Sequence, residues 1–289
     1  MKIGVFSTFM SPLATPRMIR DFGRRAEDMG LDSIWMGEHV ALFDKNTFGY
    51  PGSKDGRIPV PPGGGMLDIT ATFGFLAAAT TKVRFGTGVA LVPQRNPIYT
   101  AKEVCTLDWL SDGRFDFGIG VGWNKEEVEG CGYKWEDRGA RCDEFLEVMR
   151  RLWTEPVVDF KGKWVQFETM KMDPKPIQKP HVPIIVGGAF PYGARRAVRY
   201  GDGWIPSAGG PGRGDIADTL PQFRQMAKAA GREPASLPVT LFRVPEDPDR
   251  LRQFRDLGVA RVVISLPAAK ADAIMPILDR WAPLMREFV

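Results

Sequence analysis

Eight times along this chain, a short β-rich apolar run gives way to a longer stretch of helical period. The apolar runs are Ile3–Ser7, Ser33–Gly37, Val83–Thr87, Phe115–Ile119, Ile184–Val186, Gly203–Pro206, Leu237–Phe242 and Arg261–Ser265. Helices are predicted at about Pro16–Met29, Asp68–Thr80, Asn96–Leu110 and Arg138–Leu152, then up to Tyr200, and at Asp215–Ala230, Pro248–Leu257 and Ala269–Leu284. Pro16 and Pro97 fall in first turns, Asp68 is a cap and Gly30 a stop. A strand-helix repeat makes parallel strands, because each crossover needs about a dozen residues or more. Eight such units predict an α/β fold of the (β/α)8 TIM barrel type; an open doubly wound sheet is the competing layout. The 289 residues suit one barrel domain spanning 1–289 with insertions in its βα loops.

Gly- and Pro-rich insertions follow strands two, four and six. In a barrel these connections share the face where active sites lie. The segments 38–66, 153–183 and 207–214 are therefore expected to close over a substrate. The stretch 153–183 itself reads as irregular or hairpin-like.

Composition excludes several classes. There are 39 Lys and Arg against 35 Asp and Glu, giving +4, and the basic residues are spread rather than clustered, so no nucleic-acid partner is expected. Three cysteines without CxxC spacing and two histidines argue against a disulfide framework and against a metal site. The chain opens on a strand and has no run of 18 apolar residues, so neither a leader nor a membrane span is expected, and the expected location is cytoplasmic. No GxSxG, HExxH or Walker A pattern is present.

Four groups of residues carry the candidate chemistry. Glu38-His39 follows strand two at the catalytic rim, where a histidine serves as acid or base or stabilises a charged partner; the bland alternative is a hydrogen-bonded structural histidine. His181 precedes strand five, on the opposite face. Strand three ends in Gly86-Thr87-Gly88-Val89, which suggests unusual dihedrals or close approach of a ligand, even a cis peptide, against a simple bulge. Strand four runs into Gly118-Ile119-Gly120-Val121-Gly122-Trp123, which lacks the third glycine of a dinucleotide fingerprint but suits a flat ring lying on backbone, with Trp123 as wall or substrate contact. Strand five leads through Gly187-Gly188-Ala189-Phe190 into a helix containing Gly193, a place where backbone N–H groups bind phosphate. Glu126 and Glu127 read as acids at a helix N-terminus.

These pieces together resemble the luciferase-like monooxygenase superfamily, and within it the coenzyme F420-dependent group. The resemblance rests on Asp32-Ser33-Ile34-Trp35-Met36-Gly37-Glu38-His39, on Gly86-Thr87-Gly88-Val89 and on Gly118 through Glu127. It continues in Arg138-Gly139-Ala140-Arg141-Cys142-Asp143-Glu144, Pro183 through Gly188, and Gly201-Asp202-Gly203-Trp204. It implies a cofactor ring over the C-terminal strand ends, backed by a cis peptide that maps to Gly88-Val89. Glu38 and His39 map to the acidic residue and histidine after strand two, Gly120 and Gly122 to the strand-four glycines, and Gly187–Phe190 with Gly193 to the phosphate site. Trp123 stands where F420-dependent sugar-phosphate dehydrogenases carry a catalytic glutamate, which argues against a glucose-6-phosphate-type reaction.

Three functional readings follow. The first is hydride transfer between F420 and a small organic substrate. The second is an FMN-dependent monooxygenase using O2. The third is a catalytically silent flavin-binding barrel. Relatives of this kind are often dimers, so a homodimer is open, although no stripe in the sequence marks its interface.

Overall fold

The computed structural model describes residues 1–51, 53, 55–209 and 214–288. The expected repeat is present. The barrel strands are β1 (Lys2–Phe6), β2 (Ser33–Met36), β3 (Arg84–Thr87), β4 (Phe115–Gly120), β5 (Ile184–Gly187), β6 (Gly203–Ile205), β7 (Thr240–Phe242) and β8 (Arg261–Ser265). They pair in parallel in the order β6-β5-β4-β3-β2-β1-β8-β7. Parallel bridges from Trp204 to Val239 and from Ser207 to Phe242 bring β6 against β7 and close the ring. The helices α1 (Pro16–Asp28), α2 (Ile69–Ala79), α3 (Pro97–Leu110), α4 (Arg138–Thr154), α5 (Tyr192–Tyr200), α6 (Ile216–Ala229), α7 (Pro248–Asp256) and α8 (Ala271–Phe288) follow the strands in turn.

Local chemistry sets these boundaries. Thr15 accepts from the Met18 amide at 3.2 Å with Pro16 in the first turn, and Asp68 accepts from the Ala71 amide at 2.7 Å. Asn96 accepts from Ile98 and Tyr99 ahead of α3. Gly30, at φ 80°, ends the connection after α1 in a conformation that favours glycine.

The barrel interior is layered. At the end where the strands begin lies an ion network: Arg261 Nε is 2.6 Å from Asp32 and its Nη1 is 3.2 Å from Asp116. Arg84 meets Asp116, and Lys2 lies 3.1 Å from Asp32. Above it sits Trp35, fully buried with Ile185, Ile205 and Val263. Its indole N–H donates to Ser33 Oγ at 2.8 Å. Glycine makes room for the ring: a Cβ on Gly86 would lie 2.5 Å from the Trp35 indole. Phe6, Val89 and Phe242 pack on this layer from above and begin the open end.

One expectation is corrected. The segment 153–183 does not cover the catalytic face. It forms an antiparallel hairpin, Val158–Lys161 with Gln166–Met170, after α4 rather than after a strand. Connections from helix to strand return to the end where strands begin. Gln178 accordingly bonds Asp108 and the Phe115 carbonyl at the start of β4, and Lys175 donates to the carbonyls of Leu152 and Glu155. His181 is buried on this same side, near Asp202. The long loop 38–66 is not featureless: Gly65–Met66 pairs antiparallel with Met10–Ser11. A short helix, Lys125–Gly130, precedes α4.

Candidate active site

A cavity of about 500 Å³ opens at the C-terminal ends of the strands. Of the residues expected at a site, Glu38, His39, Gly88, Val89, Gly120, Val121, Gly122, Trp123, Gly187, Gly188 and Ala189 border it. The long loop contributes Tyr50, Ile58 and Pro59, and the end of β7 contributes Arg243.

The peptide bond Gly88–Val89 is cis. Val89 stands on two glycines: a Cβ on Gly120 would come within 2.4 Å of its Cγ2, and one on Gly187 within 2.7 Å of its Cγ1. Both glycines therefore serve to seat Val89, whose isopropyl group becomes the apolar ledge of the cavity. Gly122 at φ 81° and Gly188 at φ 118° adopt backbone conformations that favour glycine.

His39 is held from two sides. Its Nδ1 lies 2.7 Å from Glu127 Oε2. A carboxylate accepts, so Nδ1 carries the proton and Nε2 keeps its lone pair. The indole N–H of Trp123 reaches Nε2 at 3.3 Å, and the two rings meet edge to face at 5.5 Å. Glu127 is 1% exposed, and its other oxygen accepts from the Val40 amide at 2.7 Å. Glu127 is thus the residue that reading the sequence missed. Asn124 followed three residues later by Glu127 resembles a capping box, and Asn124 does accept from the Glu127 amide at 3.2 Å. The carboxylate, however, turns to the loop after β2, a contact 88 residues away in sequence. No local pattern could have shown it.

Neighbouring contacts hold the loop over the cavity. Glu126 accepts from the amide and hydroxyl of Thr47, and this hydroxyl bond keeps its pKa below the ordinary value. Asn124 donates to Asn46 at 3.1 Å. Tyr50 rests on Trp123, with ring centroids 5.5 Å apart, and accepts a hydrogen bond from Arg243 at 2.9 Å.

Other expected residues are placed differently. Glu38 borders the cavity, but its carboxylate is spent on Arg95 and on the Leu91 amide at 2.6 Å. Burial pushes its pKa up, against the opposing pull of Arg95 and that amide. Its carboxylate thereby anchors the segment beyond the cis peptide. Thr87 is buried, with its hydroxyl donating to the Gly118 carbonyl at 2.6 Å, and it does not border the cavity. Gly193 packs on Gly188 and gives its N–H to the Ala189 carbonyl at 2.8 Å, and neither it nor Phe190 lines the cavity. Ser207 carries the expected contribution of 207–214; residues 210–213 lie outside the described residues.

A profile of the luciferase-like monooxygenase family matches residues 1–246, and the chain belongs to that family. Among its relatives, an uncharacterised protein of Mycobacterium tuberculosis (strain ATCC 25618 / H37Rv) is 34% identical over 265 residues, 90% of each chain. An F420-dependent glucose-6-phosphate dehydrogenase of Amycolatopsis mediterranei (strain U-32) is 31% identical over 220 residues, 74% of this chain and 60% of that one. Among solved structures, the monooxygenase RslO1 of Streptomyces bottropensis superposes with a TM-score of 0.79 at 22% identity over 100% of both chains. An F420-dependent secondary alcohol dehydrogenase bound to an F420-acetone adduct superposes at 0.77 and 20% identity, over 99% of this chain and 98% of that one. These superpositions bear out the (β/α)8 fold. Among the described residues, no helix is long and apolar enough to cross a membrane.

Proposed function

We propose that this protein is an oxidoreductase that moves hydride between a deazaflavin of the F420 type and a small organic alcohol or carbonyl compound. The observation that carries the reading is His39, its tautomer fixed by Glu127, beside the Val89 ledge. The site fits a flat ring. The cavity volume of about 500 Å³ lies within the range of ligand pockets. Val89 offers an apolar seat, while Gly37, Gly88, Gly122 and Gly188 keep side chains out of the neighbouring wall. The backbone of Gly188 and Ala189, ahead of α5, would hold the cofactor's phosphate. When bound, such a cofactor exchanges hydride at a ring carbon and reacts poorly with O2.

The chain's own residues handle the proton. Nε2 of His39 takes the hydroxyl proton of an alcohol as hydride departs, or returns it in the reverse direction. Glu127 stabilises the imidazolium that forms. Trp123 marks the place of the substrate, because its weak 3.3 Å contact with Nε2 must yield to the incoming hydroxyl. The F420-dependent relatives support the cofactor assignment. The family's monooxygenases support a second reading, with FMN and O2.

Titrating the purified protein with F420 and with FMN, followed by fluorescence, tests the proposal. The expected result is tight binding of F420, and His39→Ala retaining that binding while losing about 100-fold or more in turnover. Binding of FMN alone moves the assignment to the oxygen-using reading. Binding of neither returns the silent-barrel reading.

A further inference from the structure

The cavity has two unlike halves, set apart by their positions around the barrel. Beyond β3, β4 and β5 its wall is glycine and backbone around the Val89 ledge. Beyond β1 and β8, and under the loop after β2, the wall is built of apolar side chains: Phe6, Met10, Ile58, Pro59, Met66 and Leu266. The strand order β3-β2-β1-β8 puts His39, which follows β2, between the halves.

The apolar wall begins at the reacting end. A Cβ on Gly37 would lie 3.4 Å from the Phe6 ring, and one on Gly88 would lie 3.7 Å from it. Phe6 therefore borders both the turn that carries His39 and the peptide that carries Val89. Leu266 is tied beside it, its amide donating to the Phe6 carbonyl at 2.9 Å. Further out, the Leu67 amide donates to the Phe9 carbonyl at 3.0 Å, and Met10 pairs with Met66 across an antiparallel rung. Residues paired in a rung stand side by side on one face. Two unbranched thioethers so placed adapt to irregular apolar shapes.

This wall offers little to a charged group. Among the described residues that line the cavity, the ionisable side chains besides His39 are Glu38 and Arg243. Glu38 is held by Arg95 and the Leu91 amide, and Arg243 is engaged with the Tyr50 hydroxyl at 2.9 Å. Beyond β1 and β8 the polar side chains on the wall are the hydroxyls of Thr8 and Ser265. An anion lying here would shed its water against side chains that do not replace it, whereas a hydrocarbon gains from leaving water. From this we infer that the substrate is uncharged and carries a hydrocarbon chain or ring, with its hydroxyl or carbonyl oxygen at His39 and its apolar body along Phe6, Leu266 and the Met10–Met66 rung. Oxidation of such an alcohol sends hydride from the carbinol carbon to the deazaflavin and the hydroxyl proton to Nε2, leaving the carbonyl compound. The substrate class rests on the hydride-transfer reading; the apolar chamber rests on its own geometry.

Calorimetric titration of the full chain with acetone, 2-butanone, 2-pentanone, 2-hexanone and pyruvate, with oxidised F420 bound, reads affinity without turnover. Each added methylene is expected to tighten binding about fourfold, so that 2-hexanone binds about 60-fold tighter than acetone. Pyruvate is expected to bind no better than acetone. Met66→Gln, which keeps the length and adds a polar amide, is expected to cut the 60-fold ratio to under tenfold and leave F420 affinity within twofold, because the ring rests on the other half. Ile58→Asn, away from the rung, is expected to change the ratio in the same direction, and thermal unfolding checks that both variants fold. Affinity independent of chain length, or pyruvate bound more tightly than 2-hexanone, overturns the substrate class. A chain-length ratio that both variants leave unchanged puts the chain elsewhere and overturns the inference as well. Turnover of 2-hexanone with reduced F420 is measured separately. If F420 neither binds nor turns over, the hydride reading fails, and the same ketone series on the protein alone decides the chamber: a ratio that still depends on Met66 keeps it, and a flat series removes it.

Discussion

At the scale of single residues, the proposed site turns on a histidine whose two nitrogens meet different partners, Glu127 at Nδ1 and Trp123 at Nε2. His39 was legible in the sequence because a histidine at a strand end in a barrel falls on the catalytic rim. Its partner was not, because Glu127 looks locally like half of a capping box. Thr87 and Gly193 lie back from the cavity for a related reason: a glycine-flanked threonine and a helix-start glycine announce close packing, but not whether the neighbour is a ligand or the protein. Here the neighbours are the Gly118 carbonyl and Gly188. The division of labour at His39 makes a prediction. Glu127→Gln should lower kcat about 100-fold while cofactor affinity stays within twofold. Glu127→Asp should recover part of the loss. A fall in cofactor affinity with kcat unchanged would show that Glu127 only fastens the Val40 amide.

At the scale of elements, the strands and their caps were almost fully legible, since period and capping residues are local properties. The exceptions have physical causes. The last helix was expected to end at Leu284, yet α8 continues to Phe288 with Pro276 and Pro283 inside it. Tertiary packing of Trp281, Met285 and Phe288 outweighs the broken helical bonds. The hairpin at Val158–Met170 was placed on the wrong face, although chain order held the answer: it follows a helix, not a strand. Phe160, 7% exposed within that hairpin, gives the test. Phe160→Ala should destabilise by about 3 kcal/mol in urea titration and leave kcat and KM unchanged. A raised KM would restore the hairpin to the substrate's neighbourhood.

At the scale of the whole molecule, the barrel has a charged floor, an aromatic middle and an open mouth. The floor predicts acid sensitivity. Burial alone would raise the Asp32 carboxyl, but Arg261 and Lys2 outweigh it and hold its pKa below the ordinary value. A carboxyl depressed in the folded state contributes stability above its unfolded value, near pH 4, and loses it as pH falls through the lower folded value. Asp32→Asn should therefore cost about 3 kcal/mol at pH 7, leaving part of the Arg261 charge uncompensated. The gap from the wild type should close as the pH is taken well below 4. A gap that persists unchanged at pH 2 would show that Asp32 acts through packing rather than charge.

Trp35 separates the floor from the mouth, and the two ends share no hydrogen-bond or ion partner among those described. Substitutions in separate networks combine additively. A lineage carrying this barrel can accumulate stabilising changes in the floor, then tolerate damaging changes around Trp123 and Arg243 while it acquires a new substrate. Adaptability here comes from the tryptophan that keeps the two ends apart.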